Sequence, residues 1–443
     1  SATIGTLSNT GEINLPATAT SAVNAFTANN STIGTISNTG TISSEYNGDN
    51  FAVNLNQSNV DTFVNDGLIS LCNGYSYDAA IYGYASTIGS LINGQSGTIS
   101  GDAYGIELAN SDLGLLQNAG TISVTGLDAL YMYGSSIGTI DNSGIISAQD
   151  YGLDVGYNNI IDTINNTGLI SGIINGGSIG LINNGAGGTI VSGQGGIYNN
   201  SDIGTIDNSG QIGAQSSSIV GPGIANYFNG SINNINNASG GLITGPNTGI
   251  DNNGSTINVI NNAGTISGSS FGITNITPST SGSMLYAAVP IYNNNPPASA
   301  TINTIINEAG GSIIGTDAGI YSDNAFLGEI NNAGLISGDT GIYINNDSEP
   351  LTIINTGTIS STDNGNAIYI NDPSATANIS LGTGSNIQGT IDANNTATNI
   401  LLSGQSSFDS NIYAPNGQVT LENGGIWNTT GYWQVGSVTN DGN

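Results

Sequence analysis

The sequence predicts an all-β fold, a right-handed parallel β-helix (β-solenoid) of about 17 coils with three short strands per coil. Three observations carry this reading. The unit Ser135-Ser-Ile-Gly-Thr-Ile-Asp-Asn-Ser-Gly-Ile-Ile-Ser147 recurs in close copies at 31–43, 202–210, 257–268 and 329–338. The glycine that closes each Asn-x-Gly corner returns at Gly11, Gly40, Gly67, Gly97, Gly120, Gly144, Gly168, Gly188, Gly210, Gly240, Gly264, Gly310, Gly334 and Gly357, at intervals near 24 residues. The repeat is full of Gly, Asn, Thr and Ile, and it shows no 3.6-residue apolar period that would place a helix in each unit.

Each interval holds three apolar runs separated by turn residues. In the fourth they are Ile88-Gly-Ser-Leu-Ile92, Gly97-Thr-Ile-Ser100 and Tyr104-Gly-Ile-Glu-Leu108. Alternation in the third run predicts Tyr104, Ile106 and Leu108 on one face, with the same run at Tyr151-Gly-Leu-Asp-Val155 and Gly341-Ile-Tyr-Ile344. Asparagine tolerates a left-handed backbone and bonds local peptide groups, so Asn-x-Gly reads as the sharp bend. Stacked coils then superimpose Asn9, Asn38, Asn65, Asn118, Asn142, Asn166, Asn208, Asn262, Asn332 and Asn355 in an amide ladder, and Ile36, Ile140, Ile164, Ile206 and Ile260 in an inner column.

The rhythm breaks at 276–299, where prolines and the apolar Met284, Leu285, Tyr286 and Val289 predict a loop projecting from one coil edge. After Asp372-Pro373 the corner motif fades while strand-like runs continue. The chain is therefore divided into a regular β-helix at 1–372 and C-terminal coils at 373–443.

Composition excludes much. There is no Lys, Arg or His, and 30 acidic residues give a formal net charge of −30. Nucleic-acid binding needs cations to neutralise phosphate, so it is excluded. Anionic membrane surfaces repel the chain, and no apolar run approaches the roughly 20 residues that span a bilayer. Cys72 is the sole cysteine and reads as a small buried hydrophobe, so stability rests on stacking and hydrogen bonds rather than disulfides. The first residues show no basic n-region or apolar h-region, so any export signal is expected to have been removed or to lie outside this sequence, and the scarcity of cysteine and lack of trypsin sites suit life outside a cell.

The missing bases also remove most chemistry. Pectate-lyase and polygalacturonase sites use Arg, Lys or His, and a serine triad needs histidine. Two carboxylates suffice for a glycosidase, which makes Asp141 with Asp162, or Glu107 with Asp154, the candidates for a carboxylate-only hydrolase. Dispersed acids are more often a solvated face, so no catalytic, cofactor-binding or metal residue is assigned and the chain reads as a non-enzyme. Ca2+ is the one ion that suits the acids, with Asp323, Asp339 and Asp347 on coil corners placed to bridge neighbouring molecules.

The copies at Asn118-Ala-Gly-Thr-Ile-Ser123 and Asn262-Ala-Gly-Thr-Ile-Ser-Gly268, and the end Leu421-Glu-Asn-Gly-Gly-Ile-Trp427 through Val435-Gly-Ser-Val-Thr-Asn-Asp-Gly442, resemble the passenger domain of Gram-negative autotransporters. The resemblance spans nearly the whole chain. It departs in lacking all basic residues and a translocating β-barrel. It implies an extracellular or cell-surface location and a role in adhesion, aggregation or matrix building, and it carries over no catalytic residue. The sequence starts and stops in phase with the repeat and without a cap, so the expectation is either head-to-tail or lateral homo-oligomerisation or that it is a slice of a longer chain. The leading expectation is an extracellular fibre, sheath or layer. The alternatives are a monomeric adhesin that takes a glycan or a host or neighbour-cell protein through the 276–299 loop, and the carboxylate hydrolase.

Overall fold

The computed structural model describes residues 2–19, 24–46, 50–72, 78–214, 221–278, 298–347 and 350–441. It is an all-β parallel β-solenoid of the right-handed type with about 16 turns, close to the expected number, and no helix occurs among the described residues. The chain forms two compact units, Ser1–Ile206 and Asp207–Asn443. Within each, a turn has a long side, a short side and a third side. In the first unit one turn is Ser136–Asn142, Ile145–Ser147 and Tyr151–Val155, and in the second one is Thr301–Asn307, Ser312–Ile314 and Ala318–Asp323.

Parallel register places like over like. On the long side of the first unit Ile36, Phe63, Leu91, Leu116, Ile140, Ile164 and Ile182 pair coil to coil. In the second unit Ile235, Ile260, Ile305, Ile330, Ile353 and Ile379 do the same. The short side adds Ile99, Ile122, Ile146 and Ile170, and the third side adds Ile106, Leu130, Leu153 and Ile173. These side chains are almost fully buried. Three thin aliphatic columns close each coil, which explains why isoleucine rather than aromatic residues dominates the apolar supply.

The corner asparagines form the ladder that the repeat predicts. In the first unit each Nδ2 donates to the next Oδ1 at 2.8 Å through Asn9, Asn38, Asn65, Asn93, Asn118, Asn142, Asn166 and Asn184. In the second it runs through Asn208, Asn237, Asn262, Asn307, Asn332 and Asn355 at 2.7 to 2.8 Å. Four further rungs, Asn93, Asn184, Asn237 and Asn307, stand at a longer corner, Asn-x-x-x-Gly, so Gly97, Gly188, Gly240 and Gly310 do not close the expected Asn-x-Gly. There Gly187, Gly240 and Gly310 turn the chain at φ +84°, +86° and +90°, and the following glycine takes the stacking position.

The Asn-x-Gly corners do not turn through the left-handed backbone expected of them. Neither the ladder asparagines nor glycines such as Gly40 and Gly144 have positive φ. Glycine is required because the preceding coil lies against it: a Cβ on Gly144 would sit 2.1 Å from the Gly120 carbonyl oxygen, and one on Gly40 would sit 2.0 Å from that of Gly11. The left-handed residues lie at another corner, after the third side, at Asn30, Gln57, Ala85, Asn110, Asn158, Asn324 and Asn346.

Two further expectations change. Ile106 and Leu108 point inward, but Tyr104 packs outside with Ala79, Ala103, Phe51, Leu127 and Tyr131, so the alternation breaks at Gly105 although the pairing to the next turn stays in register on both sides of it. Cys72 is exposed, not buried. Residues Met284, Leu285, Tyr286 and Val289 of the 276–299 insertion lie outside the described residues. The ladder crosses that insertion directly, with Asn262 donating to Asn307.

Candidate functional site

Without a single cation, the chain has to place its acids either in water or in an environment that keeps them protonated. Most are in water. A minority are buried, and these gather on the third side and its corners. In the first unit they form two adjacent columns: Glu107, Tyr131 and Asp154 in register, and beside them Tyr104, Asp128 and Tyr151. Tyr104 and Tyr131 stack with ring centres 4.8 Å apart. This outer apolar layer covers the strand face that would otherwise be solvated.

The covering shifts the acids. Burial pushes Asp128 up to about 8, with the Asp154 charge adding to it and the Tyr151 backbone N–H, which donates to Asp128 Oδ1 at 3.1 Å, opposing it. Burial raises Glu107 to about 7, reinforced by Asp78, and Asp154 to about 6. Burial likewise drives the Tyr104 and Tyr151 phenols far above their ordinary range, with Asp128 the next contributor. The cluster therefore holds protons on carboxyls at neutral pH, and Glu107 Oε2 has no hydrogen-bond partner.

Of the sequence candidates, the structure brings Glu107 and Asp154 into one column but with Tyr131 between them. At about 4.8 Å per coil their backbones are about 10 Å apart, and a tyrosine ring stands where a hydrolase would hold substrate and water. Asp141 and Asp162 are not stacked: Asp141 pairs with Asn165, whose Nδ2 donates to it at 2.8 Å, and Asp162 occupies a different position on its strand.

In the second unit, Asp251 is buried and held up by desolvation, while the hydroxyls of Thr274, at 2.6 Å, and Tyr227 donate to it. Asp347, expected on a corner open to neighbouring molecules, is only 3% exposed and so cannot bridge copies through Ca2+. It accepts from Ser322 Oγ at 2.6 Å and from the Ala325 N–H at 3.0 Å. Asp323 instead accepts from Asn345 Nδ2 at 2.7 Å, and Asp339 remains exposed. Among the described residues no three Asp, Glu, Cys or His side chains converge as a metal site.

Sequence reasoning missed two buried polar rows. One is a second amide ladder on the third side, Asn175 to Asn199 at 2.7 Å and, in the second unit, Asn226 to Asn252 to Asn275 at 2.8 to 2.9 Å. The other is a serine row in which the N–H of Ser58, Ser86 and Ser111 donates to Oγ of Ser86, Ser111 and Ser135 at 3.0 Å. Their signal was an Asn or Ser recurring just after each third run. The exposed Cys72 thiol is raised by partial desolvation, then by Asp102 and Glu45, and is a poor nucleophile. No protein-family model matches the chain, and neither a curated protein nor a solved structure matches it.

Proposed function

We propose that the chain is an extracellular structural protein that builds a cell-surface fibre, sheath or layer by packing β-solenoid units against further copies, end to end or side by side. The observation that supports this best is the outer surface: rows of amides and hydroxyls in register, without one cation to form a charge pair. Asn183 donates to Asn165 at 3.2 Å, Asn261 to Asn236 at 2.8 Å, and Asn395 and Asn371 to the rung before each at 2.7 and 2.8 Å. Such rows are self-complementary to a translated copy. Beside them on the first unit stand Tyr133, Tyr157 and Ile160, which are 61%, 64% and 51% exposed and give a copy an apolar contact. The sequence resemblance to autotransporter passengers is the support for a Gram-negative cell surface as its location, and no catalysis is assigned.

Electron microscopy and light scattering of the purified chain test the reading. Assemblies that grow with concentration and shrink in a Tyr133→Ser, Tyr157→Ser double variant are expected, and monodisperse single chains at every concentration overturn it. The second reading is an adhesin that binds a glycan or surface protein through 276–299. It is favoured by the way the ladder passes from Asn262 to Asn307 without a missing rung across that insertion. Deleting 279–297 would then abolish cell binding while the β-sheet signal stays.

A further inference from the structure

The serine row has a counterpart in the second unit, and it is broken there. At the corner after the third side, the Ala325 N–H donates to Asp347 Oδ1 at 3.0 Å and the Asp372 N–H to Thr396 Oγ1 at 2.8 Å. Between these two rungs the pattern fails. The Asp372 carboxylate turns back on its own loop, where Oδ1 accepts from the Ser374 N–H, the Ser374 hydroxyl and the Ala375 N–H at 2.8 to 3.1 Å. Its Oδ2 is left without a partner, although Asp372 is only 2% exposed. A cavity of about 10 Å³ lies at the break, lined by Ile344, Asp347, Leu351, Ile370, Asp372 and Ala377 among others. That is room for one water molecule.

Two carboxyls at successive turns thus line one small, mainly apolar cavity. The described titratable groups around Asp347 are Asp323 and Asp372, with the Tyr321 phenol on the preceding turn, and none can carry a positive charge. Both carboxyls ionised would put like charges together in a low dielectric with no counter-ion from the chain. We propose that Asp347 and Asp372 form a proton-operated latch: one proton held by the pair keeps the turns closed at this corner, and its loss lets them open.

Burial raises Asp347 to about 7, against the hydrogen bonds from Ser322 and Ala325, with Asp372 and then Asp323 adding repulsion. In the open corner it returns to the ordinary carboxylate value near 4. Opening therefore releases a proton between about pH 4 and 7, and the closed corner weakens about tenfold per pH unit across that window, then levels off. An asparagine fits at 347, since Asn159 fills the equivalent place in the serine row by accepting the Ser135 N–H at 2.7 Å.

Hydrogen exchange of the whole chain, corrected for intrinsic rates, tests this at 322–326, 343–347 and 369–376, with the Leu335–Gly338 strand as internal reference. Protection should fall about a hundredfold from pH 5 to 7, stay flat in Asp347→Asn, and level off at lower pH after a smaller fall in Asp372→Asn, which removes the neighbouring charge. A flat wild-type profile, or an equally steep fall in Asp347→Asn, overturns the latch. Should Asp347→Asn not fold, an unshifted profile in Asp372→Asn overturns it alone.

Discussion

Raising the pH should destabilise this protein over a range in which most proteins are at their best. Asp128 shows the sign and size. It is 7% exposed, and its carboxyl moves from an ordinary value of 3.8 to about 8 on folding. The folded state therefore binds the proton more tightly than the unfolded chain. Its contribution is fully present below about pH 4 and is lost as pH rises to 8. Each pH unit in that window costs about 1.4 kcal/mol, so the step from pH 5 to 8 costs the first unit roughly 4 kcal/mol. Glu107 and Asp154 act in the same direction. Ordinary domains have about 5–15 kcal/mol to lose, so the effect is large. Urea unfolding followed by far-ultraviolet circular dichroism at pH 5 and 8 measures it, repeated in 0.5 M NaCl to screen repulsion among exposed carboxylates. The difference should survive salt and shrink by several kcal/mol in Asp128→Asn, where the amide oxygen still accepts the Tyr151 N–H. Equal or greater stability at pH 8 refutes the reasoning.

Replacing Ile140, which is fully buried, with alanine should cost about 2–5 kcal/mol in the same assay, whereas Thr139→Ala on the outer face should stay within about 0.5 kcal/mol. Asn142→Ala breaks two rungs and leaves the Asn166 acceptor unsatisfied, while Asn118 Nδ2 keeps the Gly120 and Ile145 carbonyls, a loss of about 1–3 kcal/mol. Gly144→Ala, whose Cβ meets the Gly120 carbonyl at 2.1 Å, should lower the melting temperature sharply, while Gly193→Ala, with nothing within 4 Å, should leave it unchanged. Near the pI of about 4.1 turbidity should rise as the 30 carboxylates lose their charge, so the pH of greatest stability lies beside that of least solubility.

Stacking was legible because it depends on period alone. Any coil that superimposes Asn142 on Asn118 must also superimpose Ile140 on Leu116, and one spacing settles both. What the corner glycines do was not legible. A sequence shows that glycine is demanded but not whether by φ or by contact, and here the carbonyl of the neighbouring coil decides. Nor could alternation find the buried acids. Glu107 and Asp154 sit on the outer face as expected, but Phe51, Leu127, Tyr104 and Tyr131 cover part of that face, and the cover comes from side chains one to three turns away. Cys72 fails for the opposite reason: its neighbour Leu71 is buried, and the strand ends before the next inward position.

The long amide row also has a direction. Within each unit the Nδ2 groups of this row donate toward the turn with the higher number, so in that unit the small side-chain dipoles add in one sense, as peptide dipoles do along a helix. A strand arriving upside down would set NH2 against NH2 and oxygen against oxygen. Anything that extends such a row, a new turn during folding or a second molecule afterwards, is admitted in a single orientation. An assembly grown by that rule is polar, with unlike ends.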